Sequence, residues 1–358
     1  MSHCLHFGIC GGCATDTLAA PQKSLALSQA LARAGFADAP LSPLVETPLR
    51  SRRRADLGAT RKAGDISLGL HRTASPAVVD MRECALLLPE IVALLPDLRI
   101  LLRSLQAFRS TGAVVINWLD NGPDILLRMD AAFTGPDRTK IIAFARAHNA
   151  PRISIATGAE LPEPAVILQT PAISFSGVPV DPPPGGFLQA SRAGEAAIIA
   201  AVLAGLPKLS LKSRIVELYA GAGTLSFALA QHARVEAYEG DASATQSQDK
   251  AIRLNNLAGR MRVTQRDLHR RPLQAADMAG AKAVVLDPPY AGATTQMRFL
   301  AASGVARIIY VSCNPDALAT DAAVLRRAGY LVRNATPIDQ FPYSENVESV
   351  VVFEKLKS

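Results

Sequence analysis

From residue 213 onward, short β-rich runs alternate with helical stretches, and this alternation leaves few architectures open. Residues 213–218 (SRIVEL) read as a strand, 225–233 as a helix, 234–238 (RVEAY) as a strand and 242–257 as a helix. Further strands are expected at 260–264, 282–286 (KAVVL), 307–312 (RIIYVS), 330–336 and 347–353. Parallel β-α-β crossovers generate such a rhythm, so the fold class is α/β with a doubly wound, Rossmann-like sheet.

At 358 residues the chain exceeds what one hydrophobic core usually organises. Upstream of the alternating half, strand-like 113–118 and 124–128 suggest a hairpin joined through 120–123, with a helix at 139–148 to cover it. The stiff stretch 181–186 (DPPPGG) precedes a helical segment at 190–204 and marks a junction. The expected units are 1–90, 91–185 (a small α/β subdomain) and 186–358. Hydrophobic residues are 49% of the chain and charged residues 19%, a balance that supplies a core and excludes a disordered protein. No apolar run approaches the ~18 to 20 residues of a membrane span, and no secretion signal opens the chain, so a cytoplasmic protein without membrane contact is expected.

A formal charge of +7 favours a polyanionic partner, and Arg50, Arg52, Arg53, Arg54, Arg61 and Lys62 concentrate that charge in one segment. A merely solvated basic face would look the same.

The strand at 213–218 runs directly into Tyr219-Ala-Gly-Ala-Gly-Thr224 and then a helix. Gly221 and Gly223 permit a tight turn and close approach of a ligand to the backbone. The third glycine of a dinucleotide fingerprint is missing, which disfavours NAD. Glu239 ends the next strand, about where a carboxylate accepts hydrogen bonds from ribose hydroxyls, so turn and acid together point to a nucleoside ligand. Asp267 could meet an adenine edge and reads equally well as an exposed turn residue. Asp287-Pro-Pro-Tyr290 follows an apolar strand, and its proline pair holds the aspartate in a fixed direction. A similar tetrapeptide grips planar amino groups in amino-methylating enzymes, which keeps methylation of an amino group or of cytosine open.

Residues 307–312 deliver Cys313 to the end of an apolar strand, followed by an Asn314-Pro315 turn that leaves the thiol facing the same cleft as Asp287. A cysteine so placed is more often an inert core residue. Glu348 is the sole carboxylate of the final strand-like run before Phe353. Its valine neighbours imply burial and a raised pKa, which suits proton abstraction. Thiol and base together make Cys313 a candidate nucleophile. The other four cysteines form a set of their own: Cys4-x5-Cys10-x2-Cys13 with Cys84. Four thiolates suit zinc and an iron-sulfur cluster alike.

Tyr310-Val-Ser-Cys-Asn-Pro315, Asp287-Pro-Pro, Glu217-Leu-Tyr-Ala-Gly-Ala-Gly-Thr224 and the late Glu348 resemble the bacterial 23S rRNA (uracil-5-)-methyltransferases over nearly the whole chain. The resemblance implies a class I methyltransferase domain that uses S-adenosyl-L-methionine, contacted by Gln189, Tyr219, Thr224, Glu239 and Asp287. It also implies addition of Cys313 to carbon 6 of a uracil and removal of the carbon 5 proton by Glu348. Carbon 5 is a poor nucleophile until such a thiolate pushes electron density onto it. The Cys-x5-Cys-Gly-Gly-Cys motif with a later Cys resembles the 4Fe-4S site of the ribosomal RNA members, which similar transfer RNA enzymes lack. Cys4, Cys10, Cys13 and Cys84 are therefore the expected cluster ligands. Structured RNA, 23S rRNA in the first place and a tRNA uridine as the alternative, is the expected partner, with no obligate protein partner. Some members carry a barrel-like RNA-binding domain ahead of the cluster; with Cys4 almost the first residue, none is expected here. The chain departs from the family at Tyr290, commonly arginine, and at Ala190-Ser191, where an asparagine is usual.

Overall fold

A computed structural model describes residues 4–16 and 20–355. The chain begins with α1 (Ala20–Arg33) and β1 (Val45–Glu46), then builds a six-stranded sheet. That sheet comprises β2 (Arg54–Lys62), β3 (Asp65–Gly69), α2 (Pro89–Ser104), β4 (Thr111–Leu119), β5 (Gly122–Met129), α3 (Gly135–Ala147), β6 (Arg152–Thr157) and β7 (Glu163–Ile167), in strand order β3-β2-β4-β5-β6-β7. The expected hairpin is β4–β5, and its turn is shorter than expected, with Leu119 opposite Gly122. Gly122 has φ +126°, and a Cβ there would meet the Asn149 carbonyl at 2.8 Å, so the tight turn requires glycine. Only β5 and β6 run parallel, because α3 carries the chain back across the sheet. Thr134 caps α3 through a reciprocal box with Asp137. Both helices bury an apolar stripe, Ile91, Leu95, Leu98 and Leu102 from α2 and Ile141 from α3, against Leu57, Val114, Ile125 and Ile153 of the sheet.

A two-stranded ribbon, β8 (Ile173–Phe175) and β9 (Val178–Val180), leads to α4 (Arg192–Gly205). The second layer system follows: β10 (Arg214–Leu218), α5 (Thr224–Leu229), β11 (Arg234–Glu239), α6 (Ala242–Leu254), β12 (Met261–Gln265), β13 (Ala283–Leu286), α7 (Thr294–Ser303), β14 (Arg307–Ser312), α8 (Pro315–Arg327), β15 (Tyr330–Asp339) and β16 (Glu348–Lys355). The eight-stranded order is β1-β15-β16-β14-β13-β10-β11-β12, parallel except for β16, which runs antiparallel to both neighbours. Strand alternation feeds both faces: Ile309 and Val311 of β14 join α4, α5 and α6, whereas Ile308 and Tyr310 join α1, α7 and α8. Every strand expected from residue 213 onward is present within one to three residues at each end.

The unit boundaries expected upstream differ from the architecture. β2 and β3 share one sheet with β4 to β7, so the sheet runs across residue 90. α1 and β1 belong to the C-terminal sheet, through Leu27 and Leu31 against its core and Val45 opposite Ile338. The basic run hid β2, whose inward residues Ala55, Leu57 and Ala59 lie between Arg54 and the Arg61-Lys62 pair. Among the described residues no helix is long and apolar enough to cross a membrane.

Candidate active site

The sheet order reverses between β10 and β13, and the crevice outside the carboxyl ends of these strands is where open α/β sheets bind ligands. After β10 the backbone takes left-handed conformations at Tyr219 (φ +62°), Gly221 (+58°) and Gly223 (+106°) and enters α5 at Thr224. A Cβ at Gly223 would fall 2.5 Å from the Phe227 ring, so only glycine fits the turn. Glu239, at the end of β11, accepts 2.7 Å hydrogen bonds from the backbone N–H of Gly221 and of Asp241. These bonds hold its carboxylate toward the turn and leave a lone pair on each oxygen for a diol. Asp267 follows β12, and its backbone lies against Gly240. Its side chain is exposed and accepts from the N–H of His269 (3.0 Å) and Arg270 (3.1 Å), which lower its pKa. Asp267 thus shares the crevice edge with Glu239 while its carboxylate closes its own turn. Glu217, which the sequence did not single out, is buried on β10, and burial pushes its carboxyl up to about 8, with Asp287 and Glu239 adding to the rise.

Beside this pocket Asp287 directly follows β13 and Cys313 directly follows β14. Asn314 ties the two loops together, donating from Nδ2 to the Tyr290 carbonyl at 2.9 Å while its Oδ1 caps α8. The Tyr290 side chain itself is exposed. Antiparallel pairing puts Ser312 opposite Ser349, and so brings Glu348, the first residue of β16, beside Cys313. Burial, then the Glu348 and Asp287 carboxylates, push the Cys313 thiol up to about 11. Burial likewise pushes Asp287 up to about 7, and burial with the Asp287 charge drives Glu348 well above the ordinary carboxylate range.

Gln189 precedes α4 and donates from Nε2 to Asp287 Oδ2 at 3.2 Å. Gln340, which the sequence did not single out either, donates from Nε2 to Gln189 Oε1 (2.9 Å) and to Glu348 Oε2 (3.1 Å). Its signal was faint: one amide just past the end of β15, with nothing in the spacing to mark it. Ala190 and Ser191, at the point of departure from the family, contribute a backbone N–H to Gln340 and the N-cap of α4.

The basic segment is not one exposed face. Arg53 is buried, paired with Glu195 at 2.5 Å and donating to the Gln189 carbonyl at 3.1 Å. Arg61 caps the end of α2 through the Leu102 and Leu105 carbonyls. Of the six cations only Arg50 and Lys62 are exposed.

Cys4, Cys10, Cys13 and Cys84 line one cavity of about 640 Å³, together with Arg52, Arg54 and residues 341, 342, 344 and 346. Three of the sulfurs accept a backbone N–H at 3.4 Å: Cys4 from His6, Cys10 from Gly12 and Cys84 from Leu86. The segment is anchored by the N–H groups of Ala14 (2.8 Å) and Thr15 (3.1 Å), which donate to the Tyr343 carbonyl. Among the described residues no three His, Cys, Asp or Glu side chains are arranged to hold a single metal ion.

Residues 206–356 match the family described as tRNA (uracil-5-)-methyltransferase. An uncharacterized RNA methyltransferase of Rhizobium meliloti (strain 1021) is 37% identical over 98% of this chain and 85% of its own length. The 23S rRNA (uracil(1939)-C(5))-methyltransferase RlmD of Enterobacter sp. (strain 638) is 31% identical over 98% of this chain and 81% of its own. The crystal structure of Pyrococcus abyssi tRNA (uracil-54, C5)-methyltransferase in complex with S-adenosyl-L-homocysteine shares the fold, with a TM-score of 0.69 at 18% identity over 93% of this chain and 83% of that one. The chain belongs to the RNA (uracil-5-)-methyltransferase family, whose members are S-adenosylmethionine-dependent transferases.

Proposed function

We propose that the protein methylates carbon 5 of a uridine in 23S rRNA, with Cys313 as nucleophile and Glu348 as base. The observation that carries this reading is the meeting of a thiol and a buried, proton-accepting carboxylate at the paired ends of β14 and β16, beside a nucleoside-shaped turn. A uridine reaches that crevice only when extruded from its stack. Cys313 Sγ adds to carbon 6, which moves electron density onto carbon 5. S-adenosylmethionine, held by Gln189, Tyr219, Gly221, Gly223, Thr224, Glu239, Asp267 and Asp287, supplies the methyl group. Glu348 takes the proton from carbon 5, the ring double bond re-forms, and the carbon 6–sulfur bond breaks to return the thiolate.

The ribosomal target is supported by the RlmD relative, named for a 23S rRNA uracil, and by the cysteine motif. Acting there makes the protein cytoplasmic. The same motif supports a 4Fe-4S cluster on Cys4, Cys10, Cys13 and Cys84. Their cavity has room for a cubane, whose four irons spread the sulfurs farther apart than one ion would, and backbone N–H groups already face three sulfurs. The small sheet and the cysteine segment would grip RNA phosphates.

RNA carrying 5-fluorouridine tests the chemistry, because fluorine cannot leave carbon 5 as a proton does: a denaturation-resistant protein–RNA adduct is expected. No adduct in the presence of bound RNA and donor would overturn the thiolate. Mapping 5-methyluridine in ribosomal RNA with and without the gene tests the target, and a product other than 5-methyluridine refutes the assignment. Iron and sulfide assays on anaerobically purified protein test the cluster, and stoichiometric zinc in their place sinks it.

A further inference from the structure

Backbone N–H groups can only donate, and one of them sets the direction of a whole side-chain network. The N–H of Ala190 meets Gln340 Oε1 at 3.1 Å. That contact turns Gln340 Nε2 the other way, where its two hydrogens go to Gln189 Oε1 (2.9 Å) and Glu348 Oε2 (3.1 Å). Gln189 Oε1 is thereby an acceptor, so its own Nε2 must face Asp287 Oδ2, as it does at 3.2 Å. Polarity passes from one peptide group through two amides to two carboxyl groups.

The backbone around Gln340 is clamped from both sides. Lys23 of α1 is buried and donates to Asp339 Oδ1 and, at 2.7 Å, to the Phe341 carbonyl. Thr47 Oγ1 donates to the Asp339 carbonyl at 2.6 Å. On the α4 side, room for the amide exists because residue 194 is glycine: a Cβ there would lie 2.6 Å from Gln340 Oε1. This clamping distinguishes the two oxygens of the Glu348 carboxyl. Glu348 Oε2 is occupied, while Glu348 Oε1 is buried with no hydrogen-bond partner.

We propose that Gln340 is a positioning residue for the proton-abstraction step: it holds Glu348 by Oε2, so that Oε1 takes the proton from carbon 5, and it fixes the Gln189 amide on Asp287. The inference rests on the Cys313 and Glu348 reading above. It predicts a separation of steps. Gln340 plays no part in the addition of sulfur to carbon 6, yet it governs the release that requires the base.

The test compares wild type with Gln340→Met, which keeps the length and loses both donors, and Gln340→Glu, which keeps the size and the bond from Ala190 but supplies at most one donor. Two rates are measured on one RNA: adduct formation with its 5-fluorouridine form, and turnover with its uridine form. Both variants should form the fluorinated adduct within a few-fold of the wild-type rate. Turnover should fall roughly 100-fold for Gln340→Met, the scale of a misplaced catalytic group, and the methylated uridine adduct should accumulate on denaturing gels. Gln340→Glu should fall between. Equal loss of both rates in both variants would assign Gln340 to folding or substrate binding and overturn the proposal, as would undiminished turnover. Failure of the wild type itself to form the adduct would instead remove the underlying reading, so the two failures are distinguishable.

Discussion

Glu348 Oε2 accepts a hydrogen bond from Gln340 Nε2 at 3.1 Å, while Oε1 of the same buried carboxyl accepts none. A buried acceptor without a partner is costly in a resting protein and persists where something else uses it. Here Cys313 directly follows the strand paired with the one that Glu348 begins, so the carboxyl and the thiol are neighbours.

Replacement of Glu348 by Gln preserves shape and removes the base. The expected outcome is normal adduct formation with slow release, turnover falling about 10²- to 10⁴-fold as for other lost general bases. Rapid-quench analysis of the methylated adduct checks this, and full turnover by E348Q would exclude the residue from proton transfer.

Addition by Cys313 should accelerate with pH. Burial and the facing carboxylates of Glu348 and Asp287 hold the thiol at about 11, so the thiolate fraction grows across the neutral range. Adduct formation with 5-fluorouridine RNA should rise about tenfold per unit between about pH 7 and about pH 9. A rate flat over that interval would show that RNA binding has already ionised the thiol.

Gly194→Ala sets two effects against each other. In an exposed helix interior the change would gain about 1 kcal/mol. At this position the added Cβ meets Gln340 Oε1 at 2.6 Å, and backbone on both sides prevents retreat. The variant should melt no higher than wild type and should show impaired turnover. A raised Tm with unimpaired activity would mean that Gln340 is free to move.

Arg53→Met would strand Glu195, whose carboxyl is already pushed up by burial against the opposing pull of Arg53. Breaking a buried pair from one side costs roughly 3–5 kcal/mol. Urea unfolding should show that loss, and the double replacement with Glu195→Leu should recover much of it. A single variant within 1 kcal/mol of wild type, on the order of a surface pair, would refute this weight.

The C-terminal architecture was legible in the chain because short, continuous apolar runs closed by turn residues and separated by helical stretches are a local property. The seven strands from residue 213 onward and the helices after the first two of them were therefore legible, α7 and α8 were not named, and the Gly221-Ala-Gly223 turn, Glu239, Asp287, Cys313 and Glu348 could be singled out at strand ends from the sequence. Upstream the same logic misled. β2 carries Arg54, Asp56, Arg61 and Lys62 around a short apolar stretch, so its charge masked a buried strand, and Arg53, expected to face a polyanion, proved to be an internal tie. α1, nearly two hundred residues from the sheet it covers, carries no local sign of its partner.

What the chain alone determined, then, is the kind of sheet and which reactive side chains its strands present. Tertiary structure alone decided which of them meet. Asp287, Gln189, Gln340 and Glu348 come from four separate segments, and the direction of the hydrogen bonds between them starts from a single peptide N–H at Ala190. Hydrogen-bond direction depends on contacts between residues as far as 151 positions apart, and no period or spacing along the chain records it.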